Sequence, residues 1–154
     1  MLGARRDGKE PALLRSRLGH PVATSILGGV VALVFVTFFL PSGPIEWPEP
    51  VVEVQSLEDF EAVLALSEEK PVLVDFYADW CPPCHLMAPS LRALAEEGVP
   101  VAVVNAENVP GLLFRYQIRA YPTTMVFHKG KEAARTEGYH TKDTLREMAT
   151  PPAV

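Results

Sequence analysis

The chain has 154 residues and a formal net charge of −5, and 48% of its residues are hydrophobic. This length predicts one packed domain with extensions. Residues 1–21 hold five basic and two acidic side chains, whereas residues 41–154 hold nine basic and seventeen acidic ones. Nucleic-acid binding needs a basic surface, so the acidic part argues against it. Two cysteines three positions apart also exclude a secreted scaffold built on several disulfides.

Residues 22–40 read VATSILGGVVALVFVTFFL and carry no charge. A run of this length is just sufficient to cross a bilayer as a helix, and we interpret it as a transmembrane anchor. The alternative is a cleaved signal peptide, but a long segment precedes the run and no small-x-small site closes it. Since basic flanks stay in the cytoplasm, residues 1–21 are predicted to be cytoplasmic. Everything after the single-pass anchor then lies on the periplasmic side of the cytoplasmic membrane.

Residues 41–50 are rich in proline, with PSGP followed by PEP. Prolines at this density predict a stiff extended spacer rather than a folded element. We therefore place the domain boundary near Val51 and the folded domain at residues 51–150.

Within the domain, apolar runs alternate with amphipathic stretches. The amphipathic stretches predict helices, the first capped by Ser56 and the last by Thr141. Leu57, Phe60, Val63 and Leu64 are expected on the apolar face of the first helix, and Leu86, Ala93 and Leu94 on the inner side of the second. This order indicates an α/β fold, a mixed sheet with helices on both faces. The strands are predicted at 51–54, 71–77, 99–104, 123–128 and 132–138, and the later helices at 82–97, 110–116 and 141–148.

The residues with distinctive chemistry are Trp80-Cys81-Pro82-Pro83-Cys84, between a predicted strand and a predicted helix. A thiolate at a helix N-terminus is stabilised by unpaired backbone N–H groups and by the helix dipole. Cys84 lies one helical turn further on, within reach of a disulfide with Cys81. The pattern predicts Cys81 as the attacking thiol and Cys84 as the thiol that resolves the mixed disulfide.

The cysteine pair has three other interpretations. A purely structural disulfide is poorly motivated, because so short a loop removes little entropy from the unfolded chain. Half of a zinc site with His85 lacks the further ligands that structural zinc requires, and His128 and His140 are isolated histidines. Inert thiols remain an alternative. We predict no metal and no cofactor beyond the cysteine pair itself.

Residues 74–84, VDFYADWCPPC, followed by Met87-Ala88-Pro89, resemble the active-site stretch of the thioredoxin family. Residues 118–124, IRAYPTT, are similar to its second signature, in which the proline peptide bond is cis. Residues 127–130 and Gly138 match its C-terminal hairpin. The resemblance covers about residues 51–150 and implies the thioredoxin fold, a mixed central sheet flanked by helices, here preceded by one transmembrane helix.

The resemblance also implies roles for individual residues. Pro122 would be the cis-proline beside the disulfide, and the backbone at Tyr121 would pair with an extended substrate. Trp80 would shield the disulfide and shape the substrate groove together with Pro82 and Pro83, although ordinary core packing is an equal alternative for Trp80.

Asp75 would be a buried carboxylate beneath Cys84. Burial without a cation raises the pKa of a carboxyl group, so Asp75 would accept the Cys84 proton. Val103 stands where typical members carry a lysine, which should make Asp75 harder to ionise. Pro82 replaces the more usual glycine and removes an N–H near the thiolate, an effect on redox potential whose sign does not follow from the sequence.

The resemblance predicts a protein-disulfide oxidoreductase that acts on exported proteins. We expect a reductase that receives electrons from a transmembrane donor protein, with apocytochrome c cysteines and wrongly formed disulfides as targets. An oxidase or isomerase is the second interpretation. A redox-inactive binding tether is the third, and the presence of both cysteines and Asp75 counts against it.

Overall fold

The computed structural model of the protein describes residues 43–150. Its centre is a five-stranded sheet in the order β1-β3-β2-β4-β5. The first three strands along the chain pair in parallel, and the last two are antiparallel to their neighbours. This is the mixed sheet expected from the sequence. The strands are β1 Val52–Val54, β2 Val72–Tyr77, β3 Val101–Asn105, β4 Thr123–His128 and β5 Lys131–Glu137.

Four helices cover the two faces of the sheet, which confirms the predicted arrangement. One face packs against the second and fourth helices, in a core that contains Met87, Leu91 and Leu145. The other face packs against the first and third helices, through Phe60, Val63 and Leu112. The helices are α1 Leu57–Ser67, α2 Pro82–Glu96, α3 Pro110–Arg115 and α4 Lys142–Ala149.

Strand β2 lies in the middle of the sheet, and all six of its residues are buried. Successive side chains of a strand point to opposite faces. Leu73 and Tyr77 belong to the core beneath α2, whereas Val74 and Phe76 belong to the core on the opposite face. Asp75 alternates with Val74 and Phe76, so its carboxyl group points to the face that α2 covers.

Two expectations about helix faces were wrong. Leu86 is 66% exposed rather than on the inner side of α2, and Leu57 is 55% exposed at the start of α1. Met87, one position after Leu86, lies on the buried face of α2, and Ala93 is half-buried at the margin of that face. An apolar residue in a helix of mixed composition fits more than one register, so hydrophobicity alone did not select the inner stripe. The buried residues of α2 are Cys84, Met87, Ala88, Leu91, Leu94 and Ala95.

The proline-rich segment before β1 forms neither helix nor strand, but it is not a free spacer. Residues 44–48, here named the N-terminal strap, lie against the domain. Ile45 is 7% exposed and belongs to the core beneath α2. Trp47 packs edge-on against Tyr77, with the ring centroids 5.2 Å apart. The packed unit therefore begins before Val51, because two apolar side chains of the strap are more favourable against the core than in water.

Among residues 43–150, no helix is long and apolar enough to cross a membrane. The basic segment at residues 1–21 and the anchor predicted at residues 22–40 lie outside the described residues.

Candidate redox site

The two cysteines meet at the N-terminus of α2. Cys81 is the N-cap residue of this helix, with extended backbone, and Cys84 lies in its first turn. They form a disulfide with a Cα–Cα distance of 5.3 Å. The side chains are 3% and 2% exposed, so only the edge of the disulfide reaches the surface.

Few backbone donors face the sulfur of Cys81. Pro82 and Pro83 occupy the first two positions of α2, and neither has an N–H group. The N–H of Cys84 is therefore the first one available, and it donates to Cys81 Sγ over 3.3 Å. An N-cap side chain ordinarily accepts from the second or third helical position. Here only the third position can serve, which limits the stabilisation that the helix gives to a Cys81 thiolate.

Asp75 is 1% exposed, and its carboxyl group has one hydrogen bond from a side chain. The hydroxyl of Thr124, its cross-strand neighbour on β4, donates to Asp75 Oδ1 over 2.7 Å. On the other side, Asp75 is in register with Val103 of β3, which brings no charge. Burial raises the pKa of Asp75 to about 8, and the Thr124 hydrogen bond only partly opposes this.

The loop before β4 contributes the other flank of the site. The Tyr121–Pro122 peptide bond is cis, and Pro122 is buried at the end of this loop while Tyr121 is half-buried. Trp80 is 66% exposed, which excludes the core-packing alternative, and its ring lies edge-on to Tyr121 with centroids 5.8 Å apart. Of the two prolines between the cysteines, Pro82 is exposed and Pro83 half-buried. Trp80, Pro82 and Tyr121 thus border the disulfide with apolar surface.

Sequence reasoning missed the polar residues that support this surface. Glu107 accepts a hydrogen bond from Trp80 Nε1 over 3.3 Å. Asp79 accepts one from Asn105 Nδ2 over 2.9 Å, and its backbone oxygen lies 2.6 Å from His85 Nε2. Asp79 and Asn105 both follow a predicted buried strand. This position at the carboxyl end of a strand was the sequence signal that could have identified them. The partners could not be read from the sequence, because they depend on how β2 and β3 align.

The described residues contain no group of three or more His, Cys, Asp or Glu side chains placed to hold a metal ion. The chemistry that this arrangement supports is the making and breaking of a disulfide at a helix N-terminus, over a core that contains a buried acid and beside a half-buried cis-proline loop. These features define a thioredoxin-fold protein with a redox-active cysteine pair.

Comparisons with known proteins agree with this class. The sequence profile of the family described as thioredoxin matches residues 51–150. This chain belongs to the thioredoxin family. A thioredoxin of Alicyclobacillus acidocaldarius is 38% identical over 93 residues, which are 58% of this chain and 89% of the relative. The rice protein "Thioredoxin Y, chloroplastic" is 42% identical over 87 residues, 54% of this chain and 51% of the relative.

The chain spans about half the length of several plant relatives that it matches.

Solved structures give the same fold. A variant thioredoxin of Halobacterium salinarum superposes with a TM-score of 0.61 and 29% identity, covering 68% of this chain and 92% of that one. The thioredoxin of Fasciola hepatica gives a TM-score of 0.58 and 32% identity, covering 62% and 93%.

The buried carboxyl group predicts an unusual pH dependence of stability. With a pKa of about 8 in the native state and about 4 in the unfolded chain, Asp75 keeps its proton when the unfolded chain has lost it. The free energy of unfolding should therefore fall as pH rises from about 4 to about 8, by a few kcal/mol. Asp75→Asn should abolish this fall and be more stable than the wild type at pH 9, while the two differ little at pH 4. Urea unfolding across this pH range measures the effect.

Asp143→Asn is a matched control, because the Asp143 side chain is 81% exposed. Its exposed ion pair with Arg146 contributes little to stability, so Asp143→Asn should keep the wild-type fall in the free energy of unfolding between about pH 4 and pH 8. If the free energy of unfolding changes with pH in the same way in the wild type and in Asp75→Asn, Asp75 ionises in the native state as it does in the unfolded chain, which would contradict the prediction.

Proposed function

We propose that this protein is a thiol–disulfide oxidoreductase that reduces disulfides of exported proteins through Cys81 and Cys84. The observation that carries the proposal is the disulfide across the first turn of α2, with Cys81 at the N-cap. Such a position favours a thiolate, and the thiolate is the nucleophile of disulfide exchange.

The proposed reaction has two exchange steps. The Cys81 thiolate attacks one sulfur of the target disulfide, forming a mixed disulfide and releasing the other target sulfur as a thiolate, which takes a proton from solvent. Cys84 then loses its proton to ionised Asp75 and attacks Cys81 Sγ. The enzyme disulfide forms, and the second target sulfur leaves as a thiolate, which takes a proton from solvent. The target gains the two electrons that the enzyme dithiol loses.

Asp75 suits the second step by its position and its chemistry. It lies on the face of β2 that α2 covers, between Leu73 and Tyr77, whose core also contains both cysteines. A carboxyl group with a pKa of about 8 holds a proton after the exchange, when the enzyme is a disulfide. Before the exchange, its ionised fraction at neutral pH accepts the proton of Cys84.

The scarcity of backbone donors supports a reductase over an oxidase. A strongly oxidising cysteine pair is one whose reduced form is stabilised. Here Pro82 and Pro83 leave only the Cys84 N–H for the Cys81 sulfur within the first three helical positions. With its thiolate less stabilised, the dithiol gives up electrons more readily.

The proposed location is the periplasmic side of the cytoplasmic membrane, with a single anchor at residues 22–40. Five basic side chains before this run, and an acidic domain after it, support the orientation. Electrons would then come from a transmembrane donor protein, and targets would include apocytochrome c cysteines and wrongly formed disulfides. An oxidase or isomerase is the alternative that the redox potential would distinguish.

The order of attack can be tested by trapping. In the full chain, Cys84→Ser should accumulate mixed disulfides with target proteins, because Cys81 attacks but nothing resolves the product. Cys81→Ser, the matched control, should accumulate few, since the remaining Cys84 lies inside the first turn of the helix and not at its N-cap. Non-reducing gel electrophoresis compares the two. Equal trapping by both variants would contradict the assignment.

The proposed effect of the prolines on redox potential is also testable. Pro83→Ala restores an N–H at the second helical position, which can donate to Cys81 Sγ. One such hydrogen bond to the thiolate should raise the potential by about 30 to 60 mV, towards a more oxidising pair. Pro82→Ala is the control, because the first helical position is not a usual capping donor. Equilibration with glutathione measures both. An unchanged potential in Pro83→Ala would remove this support for the reductase.

Topology is tested in cells. A membrane-impermeant thiol reagent added to intact spheroplasts should label reduced Cys81 of the full chain. Labelling that requires lysis would place the domain in the cytoplasm and overturn the proposed location.

A further inference from the structure

The N-terminal strap lies before the residues that match the thioredoxin family, which begin at residue 51. It is nevertheless held against the active-site helix at several points. Arg92 of α2 donates through its guanidinium to the backbone oxygen of Glu46, and its Nε lies 3.1 Å from that oxygen. The same guanidinium lies over the Trp47 ring, 5.5 Å from the ring centroid. These contacts add to the burial of Ile45 and to the packing of Trp47 on Tyr77.

The strap also reaches the loop that carries the attacking cysteine. The backbone N–H of Ile45 donates to Asp79 Oδ1 over 2.9 Å. Asp79 lies two residues before Cys81, and its other carboxylate oxygen accepts from Asn105 Nδ2. Its backbone oxygen accepts from His85 Nε2, which must carry the proton because a carbonyl only accepts. Asp79 therefore joins the strap, the end of β3 and the first turn of α2.

From Asp79 the contacts continue to the groove beside the disulfide. Asn105 Oδ1 accepts the N–H of Glu107 over 3.0 Å, which orients the Glu107 residue. The Glu107 carboxylate in turn accepts a hydrogen bond from Trp80 Nε1, and the Trp80 ring packs edge-on against Tyr121. An unbroken series of contacts thus runs from Ile45, through Asp79 and Asn105, to the exposed indole of Trp80.

We infer that Asp79 is a positioning residue through which the docked N-terminal strap sets the orientation of Trp80 and so the binding of protein substrates. The inference rests on the proposed disulfide exchange, because it concerns the groove of that same site. Its physical basis is that a carboxylate with both oxygens engaged holds two segments at a fixed separation. Trp80 is 66% exposed, and its ring is held by the edge-on contact with Tyr121 and by the hydrogen bond to Glu107.

The hydrogen-bond pattern permits a rescue experiment. Asp79→Asn still accepts from Ile45, but its amide N–H₂ then faces the N–H₂ of Asn105. Asn105→Asp instead places two carboxylates face to face. The double variant Asp79→Asn/Asn105→Asp restores every contact, because residue 79 now donates to residue 105 and the Asp at 105 still accepts from the Glu107 N–H. Net charge also returns to that of the wild type.

The assay uses the full chain, purified in a mild detergent, with dithiothreitol in excess to regenerate the Cys81/Cys84 dithiol after each turnover. Each single variant should raise KM for insulin, a protein disulfide, about fivefold, with kcat changed less than about twofold. The double variant should return KM to the wild-type value. The Trp80 indole N–H resonance, assigned by its persistence in Trp47→Phe, should move in the single variants and return in the double variant. Reduction of a small aromatic disulfide by the pre-reduced protein, in a single turnover without added reductant, needs no extended contact with the substrate and should be unchanged throughout.

A second pair of variants tests the strap without touching Asp79. Arg92→Ala removes the guanidinium that holds Glu46 and Trp47, and should raise KM for insulin in the same direction. Arg115→Ala is the matched control, since its guanidinium also lies 5.5 Å from a ring centroid, that of Tyr116, but on the opposite side of the sheet. It should leave KM unchanged.

The outcomes separate the two proposals. A wild-type protein that reduces neither insulin nor the small disulfide contradicts the proposed function itself. A wild type that reduces both, with KM and the Trp80 resonance unaltered in all single variants, overturns only the role of Asp79. Higher KM in the single variants without recovery in the double variant also overturns it, because general damage to the fold then accounts for the loss.

Discussion

The site depends on the burial of β2 in the middle of the sheet. Parallel pairing with β3 and antiparallel pairing with β4 cover both edges of the strand, and the two cores cover its faces. Both neighbouring strands then supply contacts to the site. The chain leaves β2 at its carboxyl end and enters α2 after four residues, which brings Cys81 to a helix N-terminus at the rim of the core. The same pairing places Thr124 beside Asp75, and the cis-proline loop leads directly into β4.

Burial explains the unusual character of Asp75. A carboxylate in an apolar core is costly unless a cation or several donors compensate it. This chain supplies one hydroxyl from Thr124 and, at the register position on β3, the methyl groups of Val103. The acid is therefore kept protonated over much of the neutral range, at a cost to native stability that rises with pH. Retaining such a group is reasonable where its proton is used in the reaction.

Much of this arrangement could be predicted from the sequence. Strand and helix types, both cysteines, the buried acid and the cis-proline loop all follow from short-range patterns and from the family resemblance. The register of α2 could not, because Leu86 and Met87 are equally apolar and only packing decides which is buried. The docking of Ile45 and Trp47 was missed for a related reason, since proline content predicts local stiffness and says nothing about where two isolated apolar side chains find a surface.

The outer edges of the sheet have a consequence for how the domain meets other polypeptides. An unpaired strand edge invites other chains to add to it and so to aggregate. Here one edge, β1, is only three residues long, and the other, β5, carries a row of charged side chains along an exposed strand. Neither is a good template for an unfolded polypeptide. Both edges therefore resist strand addition by other polypeptides, including further copies of this chain, which protects the domain from edge-to-edge aggregation.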